Sequence, residues 1–440
     1  MAGESTRDLP DSWTTHRLDE VATIIDSLHK TPAYSETGHP MVRVTDVRGG
    51  FLDLSDAFLV AKDVFDEFTR RHRPRCSDII FSRVGTYGNA SYVGNDIPFC
   101  LGQNTALIHP KMNSRFLHLC LQSPFVRRQI EQSVVGSTQK TISLKSIAGL
   151  QIPIPPAPEL GAIAHILGTL DDKIALNRRM NTILEAVAQA VFKSWFVDFE
   201  PVRAKAEGRQ PTGMNADTAA LFPRLLKESA IGSVPTGWGL SGLGQVTTTV
   251  LGGTPARDEP AFWDGGTVPW INSGKVNEFR ITTPSELITE RAVEESATKL
   301  VPARSVVLAI TGATLGQVSL LEIESCVNQS VVAVVSSDAA PSEYLYFWIR
   351  HRIGDLIGRQ TGGAQQHVNK NDVNELILLI PDQAVMDAYI RQARPVFDRI
   401  RLNCFESGTL AALRDALLPR LLSGEVRVGR RKASVQPSST

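Results

Sequence analysis

Two glutamines, Gln103 and Gln329, each follow a glycine-bounded turn, Gly85-Thr86-Tyr87-Gly88 in one case and Gly312-Ala313-Thr314-Leu315-Gly316 in the other. An amide held at a groove edge can pair bidentately with adenine, and an arginine or lysine can do the same with guanine. The same residue types gather in Gly136-Ser137-Thr138-Gln139-Lys140-Thr141, whose counterpart is Gly363-Ala364-Gln365-Gln366-His367 continuing to Asn369-Lys370-Asn371. A dense basic run, Arg70-Arg71-His72-Arg73-Pro74-Arg75, has the chemistry to contact phosphate oxygens, which positions a polyanion without reading it. The candidate contact residues are therefore Arg43, Arg70, Arg71, Arg73, Arg75, Thr86, Tyr87, Gln103, Ser137, Gln139 and Lys140 in the first half of the chain. In the second half they are Thr254, Asn272, Lys275, Thr314, Gln329, Gln365, Gln366, Asn369 and Lys370. Each feature also has a plain structural reading: a tight hairpin turn, a surface loop, a solvated charge run.

Catalytic chemistry finds no foothold. There is no phosphate loop, since Gly274-Lys275 continues into valine, no Gly-x-Gly-x-x-Gly following an expected strand, and no His-Glu-x-x-His or Gly-x-Ser-x-Gly motif. The acidic pair Asp171-Asp172 falls on a helix, where adjacent side chains point apart, so a solvated face is expected there and not a metal site. Five cysteines, Cys76, Cys100, Cys120, Cys326 and Cys404, are scattered without a Cys-x-x-Cys pair, which suits reduced thiols in a cytoplasm and no structural zinc. The 46 Lys and Arg balance the 46 Asp and Glu, so any nucleic-acid contact must come from local patches. The polar start of the chain lacks the apolar core of an export signal, and no membrane segment is expected. The stretch from Ser305 to Leu321 carries threonine, glycine and glutamine and reads as two strands joined by a glycine turn.

What must position these residues is a duplication. Trp13, Leu18 and Val21 recur as Trp238, Leu243 and Val246; Ile79-Ile80-Phe81 with Gly85 as Val306-Val307-Leu308 with Gly312; Gln103 as Gln329; Ile154-Pro155 as Ile380-Pro381; Asn177 as Asn403. One offset of about 226 residues serves all of them, too long for a solenoid repeat, so each unit is a domain with an appendage. Short β-rich runs between glycine, asparagine and proline make the domains mixed α+β. After the proline-rich stop at residues 152–158, apolar residues at helical spacing (Ile163, Ile166, Leu170, Ile174, Ile183, Leu184, Val187, Val191, Trp195) predict one helix of about 40 residues, about 60 Å long. The second copy repeats the pattern in Ile390, Ala393, Phe397, Ile400, Cys404, Leu410, Leu413, Leu417 and Leu421, and two such stripes are expected to pair antiparallel. The expected organisation is a domain over residues 1–156, a long helix over 157–200, a linker over 201–236 with a short helix near 219–226, a second domain over 237–381, a second long helix over 382–424, and a flexible tail over 425–440.

Three segments resemble a known family. Phe192-Lys193-Ser194-Trp195-Phe196-Val197-Asp198-Phe199 running into residues 201–208, Gly252-Gly253-Thr254-Pro255 leading to Val268-Pro269-Trp270-Ile271, and residues 417–424 are similar to the specificity subunits of type I restriction-modification enzymes. The resemblance covers nearly the whole chain. It implies two target-recognition domains, each reading half of a split, asymmetric site in double-stranded DNA, with paired helices as a ruler. It also implies two methyltransferase subunits and restriction subunits as partners, which would carry the S-adenosylmethionine, ATP and magnesium chemistry, with no cofactor, metal or catalytic residue in this chain. The first copy departs from the domain opening, keeping only Thr31-Pro32 where the second has Gly-Gly-Thr-Pro. Large aromatics at a helix end suit a protein interface, so Phe192, Trp195 and Phe196, with Leu417 and Leu421, are the expected partner-binding residues. The competing reading is a helical adaptor that organises proteins and never touches DNA.

Overall fold

The computed structural model describes residues 9–136, 140–358 and 368–428. The chain divides into two units: residues 1–176 with 407–440, and residues 177–406. Two helices, Ala157–Phe196 and Gln383–Leu422, each pass from one unit into the other, so each unit owns half of both.

The first unit begins with β1 (Thr14–Arg17), β2 (Ala22–Asp26), β3 (His39–Val42), β4 (Phe58–Val60) and β5 (Ile79–Ser82). It continues through β6 (Ala90–Tyr92), β7 (Cys100–Leu101), β8 (Thr105–Pro110) and β9 (Gln151–Ile154). An antiparallel sheet of order β2-β8-β5-β6 packs beside a three-stranded sheet of order β4-β3-β7, while β1 pairs with β9. The four-stranded sheet is covered on both faces, which is why β5 reads as an unbroken apolar run. Ile79, Phe81 and Ile108 face the helices Ser114–Gln122 and Pro124–Ser133, through Phe116, Leu117 and Ile130; Ile80 and Leu107 face Val42, Val93 and Phe99. Ile163 and Leu167 of the first long helix and Leu421 and Leu422 of the second join the first of these clusters.

His118 sits in that core, its Nε2–H donating to the Ala90 carbonyl at 3.1 Å. Burial pushes its imidazole down to about 4 from the ordinary 6.5. Between those pH values the unfolded chain takes up a proton that the folded one refuses, so stability from this group is intact above about 6.5 and falls with pH at about 1.4 kcal/mol per unit. Urea midpoints measured across that range should fall more steeply for the native chain than for His118→Gln; equal slopes would rule the effect out.

The second unit repeats the plan. After β10 (Leu226–Lys227) and β11 (Val234–Pro235) come β12 (Gly239–Gly242), β13 (Thr248–Leu251), β14 (Val268–Ile271), β15 (Glu286–Ile288) and β16 (Leu300–Val301). Then follow β17 (Val306–Ala309), β18 (Val318–Leu320), β19 (Ser325–Val327), β20 (Val331–Val335) and β21 (Ile377–Ile380). The orders β13-β20-β17-β18 and β15-β14-β19-β16, with β12 on β21, match the first unit strand for strand, apart from the added β16. The strands expected from Ser305 to Leu321 are β17 and β18, antiparallel around their glycine turn.

Several expectations are corrected here. Phe192, Trp195 and Phe196 are buried in the second unit's own core, where the Phe196 ring lies 5.0 Å from those of Tyr344 and Tyr389 and Trp195 lies 5.1 Å from Phe222. They leave no surface for a partner, and burying each contributes about 1.5–3 kcal/mol to folding. Leu421 is buried likewise and Leu417 partly so. The 201–236 segment is no loose linker, since Val202, Phe222 and Val234 pack into the same core; its short helices are Glu200–Ala206 and Ala216–Ala220. The first residues assigned to a tail are held too: Arg427 makes paired hydrogen bonds of 2.6 and 2.9 Å to Glu159, and Val426 and Val428 pack on the first unit's core.

The expected apolar stripe of the first long helix is buried or half-buried along most of its length, but departs from the buried face at Ile183 and Val187. Ile183 and Val187 are 64% and 52% exposed, while Asn177, Asn181 and Glu185 are buried against the second helix or the second unit's core. Asp171 is buried and accepts from Arg414 at 2.8 Å, and Asp172 pairs with Arg115. The two carboxylates do point apart, but neither is bare.

Candidate nucleic-acid interface

Strand polarity sorts the candidates. β5 runs from the basic segment at its start to the glycine turn at its end, a span of about 13 Å. The antiparallel β8 therefore brings Gln103 and Asn104, just before it, to the glycine-turn end and His109 to the basic end. β3 lies parallel to β7, so Arg43 emerges beside Gly102, whose N–H donates to the Val42 carbonyl at 2.9 Å. Thr31 reaches the same rim and accepts from the Gln103 amide at 3.3 Å. The rim is tied together by Thr86, whose hydroxyl donates to the Val44 carbonyl at 2.8 Å, and by Tyr87, whose hydroxyl donates to Glu131 at 2.9 Å and lies 3.5 Å from the Lys140 ammonium.

The second unit builds the same rim. Asn328 N–H donates to Ile271 as Gly102 does to Val42, and Val368 N–H donates to Ile310 as Ile142 does to Arg83. These bonds bring Asn272, Lys275, residues 311–314, Gln329, Thr254 and Asn369 to one end of the sheet. Thr254 donates its hydroxyl to Gln329 Oε1, so a threonine after the second strand pins the glutamine in both copies. That contact shows that Thr31-Pro32, all that survives of the opening in the first copy, still does the work of Thr254-Pro255.

Both glycine turns are hairpins that only glycine can close. Gly88 and Gly316 have φ of +79° and +84°, and a Cβ there would come within 2.9 Å of Ile130 and 2.6 Å of Ile357. The hairpin reading and the presenting-loop reading are thus one structure: the turn is fixed, and Thr86 and Thr314 lie at its outer bend.

Several candidates are engaged within the chain. Arg43 forks onto the buried Asp46 at 3.0 and 2.9 Å and stacks over Phe58 at 3.7 Å. Lys275 reaches Glu278 at 2.8 Å and Thr283 at 2.9 Å. The Asn272 and Asn369 side chains cap the short helical turns that follow them, Asn369 Oδ1 accepting from Asn371 and Asp372 N–H groups; Lys370 is the first residue of its turn. Thr314 donates to the Thr311 carbonyl at 3.4 Å. Arg70, Arg71, Arg73 and Arg75 are exposed, but at the far end of β5 from the rim, and Arg73 lies over Phe65. Ser137, Gln139, Gln365 and Gln366 lie outside the described residues. Arg83, at the end of β5 and paired with Asp26 at 2.5 Å, is a rim residue that the sequence reading passed over, because its counterpart across the repeat is the aliphatic Ile310.

Comparison with known proteins follows the same lines. The family described as type I restriction modification DNA specificity domain matches residues 10–186 and 235–387, most of the chain. The specificity subunit of the HindI type I restriction enzyme of Haemophilus influenzae is 29% identical over 402 residues, spanning 79% of this chain and 86% of that protein. The putative MjaX specificity subunit of Methanocaldococcus jannaschii is 21% identical over 434 residues, 96% of this chain and 95% of that one. In fold, the crystal structure of the type I restriction-modification S subunit from M. genitalium is similar with a TM-score of 0.55 at 13% identity, over 95% of this chain and 97% of that one.

Proposed function

Because the chain belongs to the type I restriction-modification DNA specificity family, and is a non-catalytic subunit that recognises DNA by sequence, we propose that its two units read the two halves of a split, asymmetric duplex site. The observation that carries this reading is the repeated rim: one backbone frame and one threonine–glutamine contact, used twice, with different side chains around it. Two like frames with unlike residues suit two different words. Backbone contacts from the basic run at the other end of β5 would set register without specifying sequence.

Gln103→Ala should weaken discrimination at one half-site and Gln329→Ala at the other, each by about 1–3 kcal/mol. Binding of the purified chain with its partners to duplexes altered in one half at a time would read this, and equal loss at both halves would assign the glutamines to folding. Retention on DNA should also fall steeply with salt, as released counterions require; a chain indifferent to salt would be an adaptor.

The same reading assigns the partners: two methyltransferase subunits and, in the full assembly, restriction subunits, which would hold S-adenosylmethionine, ATP and magnesium. It places the chain with the genome in the cytoplasm; among the described residues no helix is long and apolar enough to cross a membrane. With Phe192, Trp195 and Phe196 buried, partner docking is better assigned to Ile183 and Val187, one turn apart and both exposed.

A further inference from the structure

We propose that the first unit binds a zinc-class divalent cation through His72, Asp78 and His109. Their ligand atoms all lie within 4.8 Å of one another, the one such trio among the described residues. Asp78 is fully buried, with Oδ2 3.4 Å from His72 Nε2 and Oδ1 2.6 Å from His109 Nδ1. Two imidazoles and a carboxylate form a donor set for zinc with a fourth position left for water, and both rings are partly exposed. The Arg75 backbone N–H donates to Asp78 Oδ2 at 3.0 Å and fixes the carboxylate, as an outer-shell partner of a metal ligand does.

The duplication shows that the frame does not need these residues. Asp78 follows the left-handed Ser77 just as Ser305 follows the left-handed Arg304, and the Ser305 hydroxyl closes that turn by donating to Pro302. Across the repeat His109 becomes Val335, each facing the same position of its neighbouring strand, Thr23 and Thr248. A fold satisfied by serine and valine in one copy carries a buried carboxylate and two imidazoles in the other, and a carboxylate that deep is costly unless it serves a cation or a hydrogen-bond network.

Without metal, Arg75 Nη2 lies 3.1 Å from His109 Nε2, so the ring carries its proton on Nδ1 and donates it to Asp78. Metal on Nδ1 moves that proton to Nε2, where it meets the Arg75 N–H. The exposed Arg75 then turns to solvent. The ligands come from the basic run, the start of β5 and the end of β8, so the ion would staple residues 70–75 to the sheet. This inference stands apart from the DNA reading, because its test reads metal alone.

The full chain, stripped with chelator and titrated with zinc or cobalt(II), should take up one equivalent with the visible bands of tetrahedral cobalt. His72→Ala and His109→Ala should each weaken binding on the order of a hundredfold or more, measured against each variant's own chelator-stripped melting midpoint, which His109→Ala lowers by taking a donor from Asp78. Zinc should raise the melting midpoint of the native chain and of neither variant. Should a variant fail to fold, the native chain labelled with 15N-histidine decides: one ring must bind through Nδ1 and another through Nε2. No uptake, uptake undiminished in folded variants, or any other pattern of ring nitrogens overturns the proposal.

Discussion

Four residues inserted after Leu176 in the first long helix, with four more after Glu406 in the second, should leave both recognised half-sites unchanged and widen the gap between them by about two base pairs. These are the points where each helix passes between units. The insertion adds about 6 Å and about 40° of rotation. It leaves intact the pairing within each unit, Asp171 with Arg414 in one and Asn181 with Asn403 in the other. Mapping methylated bases in cells carrying the variant and its partner subunits would measure the gap directly. An unchanged gap would refute the ruler, and extending one helix alone should abolish modification, because the two halves no longer match in length.

The second large effect concerns stability. The Arg280 side chain is wholly buried, donates to Tyr346 at 3.0 Å, lies 3.1 Å from Glu185 of the first long helix and 3.7 Å from Glu322, and stacks on Tyr346 and Phe397. It fastens the second recognition domain to its share of the helix pair. Arg280→Ala removes the cation shared by two carboxylates, leaving Glu185 to Arg350 and Tyr346 and Glu322 to Arg401 at 3.5 Å, and should cost about 3–5 kcal/mol. Burial already pushes the Glu322 carboxyl up, so part of that loss should be recovered in acid, where the carboxyl takes a proton. Urea unfolding at neutral and acid pH tests both statements; a loss under about 1 kcal/mol would show that the site admits water.

What the sequence made legible was whatever repeats. The offset near 226 residues predicted two like domains, both long helices and the strands around each glycine turn. It failed where burial contradicts residue type. Following apolar residues put Ile183 and Val187 on the inner face of the helix, whereas the structure buries Asn177, Asn181 and Glu185 there, each matched to a polar partner that no local pattern announces. Phe192, Trp195 and Phe196 were recognisable as anchors, but the choice between a partner surface and this chain's own core was not, because Tyr344 and Tyr389 that receive them lie far along the sequence. The rim was half legible. Gln103 and Gln329 could be found by their offset, whereas the trio of His72, Asp78 and His109 belongs to one copy only and comes together through strand pairing.

The buried asparagines have one more consequence. Asn403 donates to Asn181 at 2.8 Å, and Asn177, its own counterpart in the duplication, donates to Glu406 at 2.8 Å. An aliphatic seam would tolerate a slide of one heptad, about 10 Å or about three base pairs. Such a slide would leave these amides facing hydrocarbon, so the helices have a single register available to them. A helix pair slipped out of register would therefore strand these amides in the core, so the slip is opposed at the level of folding itself.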